Sequence, residues 1–547
     1  MKKTSLLLCL CGLFFTQPVF AQALKVEKSI SKKLKKVKPE SIKGHIQYLA
    51  DDKLKGRKPG TEGYQMAVDY VTDEFKKMGA EPGGENNTYL QKVRLRTATT
   101  APSATFTSID ASGKQEVLTY GKDFSIYPNP QEKNVTVEAP LVFAGYGITA
   151  PDLGYDDYAN VDAKGKIVVV LRGAPASFPS TVSLYSMDML TILENAAAHG
   201  AVGVLVGATA QGATPPTFAG GVNSVMGADG NVAFSRSFAS DQIKMLGMVN
   251  YETLQKYLAT ANLKIDETMV SLKSGKTVSA PIAYSAKASY TSQYKDIESY
   301  NVIGKITGSD PVLKNEYVVH SAHLDHMGIG RPINGDSIYN GAHDNASGVA
   351  SLLEIAKLYS KMKVKPKRSV LVVMVTAEEM GLLGSAYFAK FPTVPAKSIV
   401  ADINTDMPTL IAPLLSVVPL GANHSSLQKE VQQAAAYLNL DVEEDPEPEQ
   451  NRFIRSDQYS FVTAGIPALH IKYGNKTADG QNNLNKTVEA WRATTYHKPQ
   501  DNPDGVFDYD AAKKYVQLNF LISLQVAQAP QRPTWNPGDF FGTRFAL

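Results

Sequence analysis

The sequence predicts an α/β protein: a mainly parallel mixed sheet with helices on both faces, interrupted by a smaller β-rich module. Three observations carry this reading. From Tyr300 onward, strand-like apolar runs alternate with helical periodicity, the pattern of parallel strands joined by crossover helices. Residues 131–285 have a different texture, rich in Gly, Ala, Val and Thr, with short β-like runs and one histidine. The chain has 547 residues, 43% hydrophobic and 20% charged, which is ordinary globular composition over more than one folding unit. The expected division is 22–130 and 286–547 for the main domain, with 131–285 inserted between them.

The N-terminus reads as a secretory signal over residues 1–21. Lys2 and Lys3 precede an apolar run from Leu6 to Phe15, too short to span a bilayer as an ordinary helix, and Val19, Ala21 and Ala23 offer small residues for cleavage. Both cysteines, Cys9 and Cys11, fall inside it and outside any convincing lipobox. The processed chain is then expected to have no disulfide, no thiolate nucleophile and no cysteine metal ligand. Removing Lys2 and Lys3 takes the net charge from +3 to about +1, which gives no reason to expect a nucleic-acid partner. No later apolar stretch approaches the length of a transmembrane segment, so the expected product is soluble and exported, periplasmic or secreted. The sequence sets no oligomeric state.

Residues 25–38 carry seven lysines and one glutamate and read as a solvated arm. Helices follow, with Ile42, Ile46, Leu49 and Ala50 on one face, then Met66, Ala67, Tyr70, Val71 and Phe75 on another, stopped at Gly79. Val93 to Thr97 reads as a strand. Within 131–285, IVVVL (167–171) and VGVLVGA (202–208) flank an alanine-rich helix near Met187 to His199. No dense carboxylate–histidine group occurs there, so the module is expected to carry no chemistry of its own. In the last part, 301–306, 316–322, 369–377, 399–404 and 467–472 read as strands, and Ser347 to Lys361 and Tyr509 to Ala527 as helices. The run DVEEDPEPE (441–449) reads as a solvated loop.

The residues with chemical potential fall at strand ends, where ligand sites of such sheets lie. Strand 316–322 runs into HLDHMG (323–328); GAHDNASG (341–348) precedes a helix; the apolar strand 369–377 ends in Glu378 and Glu379; strand 399–404 ends near Asp406; and TYHKPQD (495–501) puts His497 in a loop. Adjacent glutamates closing an apolar strand are costly to bury unless something offsets their charge, and a cation does so. Oxygen donors and imidazoles without a thiolate suit zinc or a related divalent ion.

In this order, H-x-D, D-N-A-S-G, E-E-x-G-L-x-G-S, N-x-D and Y-H, the chain resembles the M28 family of zinc exopeptidases, the dizinc aminopeptidase type. The resemblance covers roughly 40–130 and 295–530, and residues 131–285 resemble the protease-associated (PA) insert of several members. It implies a three-layer α/β/α zinc-exopeptidase domain acting on peptides and two Zn2+ per chain. His323 and Asp406 would hold one ion, Glu379 and His497 the other, and Asp344 would bridge them. Glu378 would be the general base, Asp325 would orient His323, and Tyr496 would donate to the oxyanion, or simply pack. Ser347 and Ser385 read as cap and packing residues. His326 and His343 lie beside the site, the first structural or supporting, the second touching the cleft. His320 and His470 read as hydrogen-bonded core residues. Arg452, Arg455 and Asp457 are candidates for substrate contacts or for an ion pair within their loop. Three other readings stand beside the aminopeptidase: a zinc carboxypeptidase on the same fold, a single-zinc glutaminyl cyclase, and a binding protein of the same fold. The complete ligand set argues against the last two.

Overall fold

The computed structural model describes residues 24–546, so the signal reading of residues 1–21, with Cys9 and Cys11, lies outside the described residues. The strand Ser279–Ile306 is the spine of the molecule. Its C-terminal half pairs antiparallel with Leu90–Thr100 and with Ser369–Val375. Beyond Ser369–Val375 come Tyr317–His323, Ile399–Asn404 and Ala468–Tyr473, all parallel; Ser416–Leu420 follows antiparallel, and the short strand Asp441–Val442 pairs with its outer edge. The sheet is therefore mixed, with a parallel centre.

That centre is buried on both faces, as crossover helices require. Every residue of Ser369–Val375 is buried. Its alternate side chains divide between two cores: Val370, Val372 and Met374 pack under the helices Pro39–Leu49, Glu62–Met78, Ser347–Ser360 and Tyr509–Gln528. Leu371, Val373 and Val375 pack on the other face with Phe388 and Phe461. Each such side chain contributes roughly 1.5–3 kcal/mol of burial. Glu62–Met78 is capped by the Thr61 hydroxyl and stops at Gly79, whose φ of 76° suits a residue without Cβ.

The lysine-rich stretch is not a free arm. Lys28–Leu34 is helical, and Ile30, Leu34 and Val37 join the main core. The i, i+4 pair Ile30 and Leu34 gives the segment an apolar stripe, while the lysines stay on its wet side.

The N-terminal half of the spine strand pairs with Thr105–Asp110 and Asn134–Ala144. Ile167–Val170, Gly203–Gly207 and Met245–Val249 continue this second sheet in parallel. It has a core on each face, and one of them also draws on Ala104, Phe106, Leu118, Phe124 and Ile126. The alanine-rich helix expected near Met187 to His199 is Met189–Ala198, capped by Asp188 through the Leu190 N–H, and a further helix, Ser180–Met187, precedes it. Module and main domain share the spine strand and a second ladder, in which Val222–Met226 pairs with Leu90–Thr100 and Val232–Ser235 pairs with Val222–Met226. No helix among the described residues is long and apolar enough to cross a membrane.

Candidate metal centre

The carboxyl ends of the parallel strands deliver the donors. Tyr317–His323 ends on His323, Ser369–Val375 leads into Glu378 and Glu379, and Ile399–Asn404 leads into Asp406. Asp344 lies in the turn Ala342–Ala346 ahead of the helix Ser347–Ser360, and His497 follows the helix Leu484–Thr495.

His323 and His497 meet at Asp344, each with a second carboxylate beside it. His323 Nε2 lies 3.2 Å from Asp344 Oδ1 and 3.4 Å from Asp406 Oδ1. His497 Nε2 lies 3.2 Å from Asp344 Oδ2 and 3.3 Å from Glu379 Oε2. The two oxygens of one carboxylate thus face two separate imidazole–carboxylate pairs. The donor set suits a hard or borderline cation: donors around a shared ion with bonds of about 2.0 Å stand roughly 3.3 Å apart in a tetrahedron. His323, Asp344 and Asp406 form one group able to hold a metal ion. A second comprises His326, Asp344 and Glu379.

The electrostatics point the same way. Burial alone would lower the pKa of His323, but its bonds to Asp344 and Asp406 hold it well above the usual imidazole range. Burial alone would raise Asp344, but its bonds to His323 and His497 hold it well below the usual carboxylate range. Glu378 is pushed well up, first by burial and then by the neighbouring acids Asp406, Asp457 and Glu379, against the pull of His323. Crowded carboxylates of this kind call for positive charge.

The supporting residues differ in part from the expectation. Asp325 does not hold His323 through its carboxylate, which stands 3.9 Å from Nδ1; its backbone carbonyl lies 3.2 Å from that nitrogen instead. The Asp325 carboxylate accepts from the Glu378 and Glu379 N–H groups at 3.1 and 3.3 Å, so it positions the glutamate pair. The chain turns after His323, and the side chain two residues on reaches across to the next strand end. His326 is more than a bystander: its Nδ1 lies 2.7 Å from Glu379 Oε1, leaving Oε2 toward His497. His343 is not in the cleft. It stacks on Phe507 at 4.0 Å with Nε2 3.1 Å from the Val506 carbonyl, and burial lowers its pKa to about 4. His470 sits in its strand with Nε2 2.9 Å from the Asp406 carbonyl.

Three supporting residues escaped sequence reasoning. Asp501 accepts from the His343 and Asp344 N–H groups at 2.8 and 3.0 Å, fixing the turn that carries Asp344. Arg57 is 1% exposed and donates to the carbonyls of Leu49, Leu324, Asn340 and Gly341, clamping the loops on either side of the site. Burial lowers its pKa to about 10, against Asp325, Asp501, Asp344 and Glu379, so it brings a cation beneath the cluster. Lys472 donates to the carbonyls of Asp406 and Met407 at 2.7 and 3.2 Å, fixing the turn behind Asp406. Asp501 closes the TYHKPQD run, a visible signal; Arg57 and Lys472 had none.

Two clefts flank the cluster. The more enclosed, about 480 Å³, is lined by Asp344, Glu378 and Asp406 together with Met407, Val418 and Tyr473. The more open, about 670 Å³, is lined by Glu378, Glu379 and His497 and by residues of the inserted module. Tyr496 and Arg455 border both. The Tyr496 ring stacks on His497 at 3.8 Å, with the Arg492 guanidinium 4.0 Å from its centre. Arg452 is held by Asp445 and Glu447, which belong to the acidic run, so that run is partly neutralised rather than freely solvated. Asp457 is fully buried with both oxygens unpartnered, and burial raises its pKa to about 7. It does not face a cleft. The hydroxyls of Ser347 and Ser385 bond the His343 and Leu382 carbonyls, in keeping with local structural roles.

Residues 301–522 match the sequence profile of peptidase family M28, and residues 137–250 that of the PA domain. The chain is 27% identical over 361 residues to a probable leucine aminopeptidase 2 of Aspergillus fumigatus, an alignment covering 63% of this chain and 62% of that one. It is 32% identical over 120 residues to carboxypeptidase Q of Mus musculus, covering 21% and 23%. The chain thus spans less than two thirds of the fungal relative's length. Among solved structures, an aminopeptidase from Aneurinibacillus sp. strain AM-1 superposes with a TM-score of 0.49 at 20% identity, covering 91% of this chain and 95% of that one.

Proposed function

We propose that this chain, which belongs to peptidase family M28 and carries a PA domain, is an exported zinc exopeptidase that removes N-terminal residues from peptides. The observation that carries the reading is the placement of Asp344, whose two oxygens each meet a different imidazole at 3.2 Å. On this reading His323 and Asp406 hold one zinc, Glu379 and His497 a second, and Asp344 both. When bound, two such ions acidify water and polarise a carbonyl.

The rest of the work falls to the chain itself. Glu378 borders both clefts and makes no ion pair among the described residues. It takes a proton from the attacking water and returns it to the departing amine. Asp325 holds the backbone on which Glu378 and Glu379 sit, so base and ligand keep a fixed separation. His326 fixes the rotation of the Glu379 carboxylate. Tyr496 stands at the boundary of the two clefts, where its hydroxyl can donate to the oxyanion of the tetrahedral species. No nucleophilic side chain is needed.

The test compares peptides with free and acetylated N-termini on protein of measured zinc content. Loss of most turnover on acetylation, and of all turnover on chelation with recovery by zinc, is expected. Equal kcat/KM for both peptides would move the reading to the carboxypeptidase represented by the mouse relative, and full activity in metal-free protein would remove the zinc.

A further inference from the structure

The lysine-rich segment near the N-terminus does not stand alone. Residues 25–38 carry seven lysines, and residues 361–367, between the helix Ser347–Ser360 and the strand Ser369–Val375, carry four more. The fold brings the two runs together, with Lys33 Nζ donating to the Lys361 carbonyl. A third stretch, 307–315, lies along the second run: the Ser309 and Asp310 N–H groups donate to the Pro366 and Lys367 carbonyls at 2.8 and 3.3 Å. It adds Lys314, the twelfth lysine of this face.

That charge is not neutralised within the chain. None of the twelve lysines makes an ion pair among the described residues, and ten are exposed. The two half-buried ones donate to backbone carbonyls, Lys33 as above and Lys365 to Tyr359 and Ser360 at 3.1 and 2.6 Å. Burial and then the charge of Lys33 lower the pKa of Lys365, so like charges crowd here. The three stretches hold two acids, Glu27 and Asp310. The Asp310 carboxylate is taken up by the Val312 and Leu313 N–H groups, and Glu27 accepts from the Ser29 hydroxyl. The whole chain carries a net charge of only +3, so this face is a local concentration and not a general excess.

Two further features set the kind of partner. Val312 and Val364, both 73% exposed, stand among the lysines. Apolar side chains beside a dense cationic field suit the headgroup and acyl boundary of a bilayer. The stretches contain no aromatic residue to stack on bases and no exposed arginine for bidentate recognition of a fixed anion. Lysines act as point charges, which suits a fluid surface of many anions. We propose that this face docks on the anionic surface of a phospholipid bilayer, holding the protein peripherally. The helix Ser347–Ser360 runs from the turn of Asp344 to Lys361, so the docking face lies about 20 Å from the metal centre, at the opposite end of the sheet. Both clefts then stay open to solution.

The test uses the chain with residues 1–21 removed, checked by intact mass, because the apolar run 6–15 would itself bind lipid. Co-sedimentation with vesicles of phosphatidylcholine, alone or in equal parts with phosphatidylglycerol, is expected to show at least about tenfold tighter binding to the anionic vesicles at about 0.1 M salt, lost at about 1 M. Replacing Lys28, Lys32, Lys35 and Lys36 together by Gln should cut the preference several-fold, as should Lys363→Gln with Lys367→Gln, and the six together should abolish it. Gln is close to Lys in helix propensity, so the segment stays folded, which circular dichroism checks. Val312→Ser with Val364→Ser should weaken vesicle binding and leave binding to a DNA duplex unchanged. Equal binding to both kinds of vesicle, or a preference that survives all six lysine substitutions, overturns the proposal. Tighter binding to the duplex than to anionic vesicles, with the valine substitutions without effect on either, assigns the face to nucleic acid and also overturns it. The face shares no residue with the clefts, so these results do not depend on the peptidase reading.

Discussion

In the main domain, the loops beyond the parallel strands turn five donors toward one another; in the PA module, the comparable region turns one buried carboxylate toward its own backbone. Asp157 of the module is fully buried. It accepts from the Tyr146 and Ile148 N–H groups at 2.9 and 3.1 Å and from the Tyr155 hydroxyl at 3.0 Å. The chain supplies three donors to it, although burial still raises its pKa to about 7. The cleft carboxylates instead face imidazoles and other acids, with no comparable ring of backbone donors. The contrast teaches that burial of an acid does not by itself mark a site. What marks it is several acids and imidazoles buried against one another around a shared carboxylate, an arrangement that suits a cation.

The comparison can be sharpened by substitution, beginning with the largest effect. Glu378→Gln keeps the size of the side chain but cannot accept a proton; kcat should fall by roughly 10²–10⁴ while zinc content stays that of the parent. Zinc loss in this variant, or rescue by excess zinc, would reverse the roles of the two glutamates. Glu379→Ala should weaken one zinc by at least about 100-fold and lose activity through it, with partial recovery in a zinc titration. Asp157→Ala strips the acceptor from two buried N–H groups and a hydroxyl, and should cost about 2–4 kcal/mol in chemical denaturation without changing zinc content. A change in zinc content there would break the separation of the two regions.

The smallest effect is a pH dependence at a third buried acid. Glu354 would be raised by burial, but His45, Lys357 and Ser41 hold its pKa at about 2, below its ordinary 4.5. Between those values the folded chain carries fewer protons than the unfolded one. Its contribution is therefore full above about pH 4.5 and is lost as the pH falls toward 2, about 1–3 kcal/mol in all. Glu354→Gln should flatten that part of the acid-stability curve, measured against the parent by denaturation at each pH.

The strands of the main sheet and the five donors were legible because both depend on local pattern. Apolar runs such as 369–375 announce a buried strand, and acids or imidazoles directly after them announce its functional end. The misread features depend on partners distant in sequence or on a weak local signal. Arg57 finds its carbonyl acceptors at Leu49, Leu324, Asn340 and Gly341, which only the finished fold assembles. The lysine-rich segment hid its two apolar anchors, Ile30 and Leu34, under its charge. The helix Ser180–Met187 was not read because its run STVSLYSM shows no clear apolar face. Asp325 was assigned the right neighbourhood and the wrong partner atom, because spacing along a chain does not say which way a side chain turns once the strand has ended.

The central claim is that one carboxylate, Asp344, is shared by two metal ions. Zinc per chain, measured by elemental mass spectrometry after exhaustive dialysis of the parent and of Asp344→Ala, tests it most directly. The account predicts two per chain in the parent and less than one in the variant, because each ion loses a donor at once. One zinc or none in the parent, or two retained in Asp344→Ala, would contradict it.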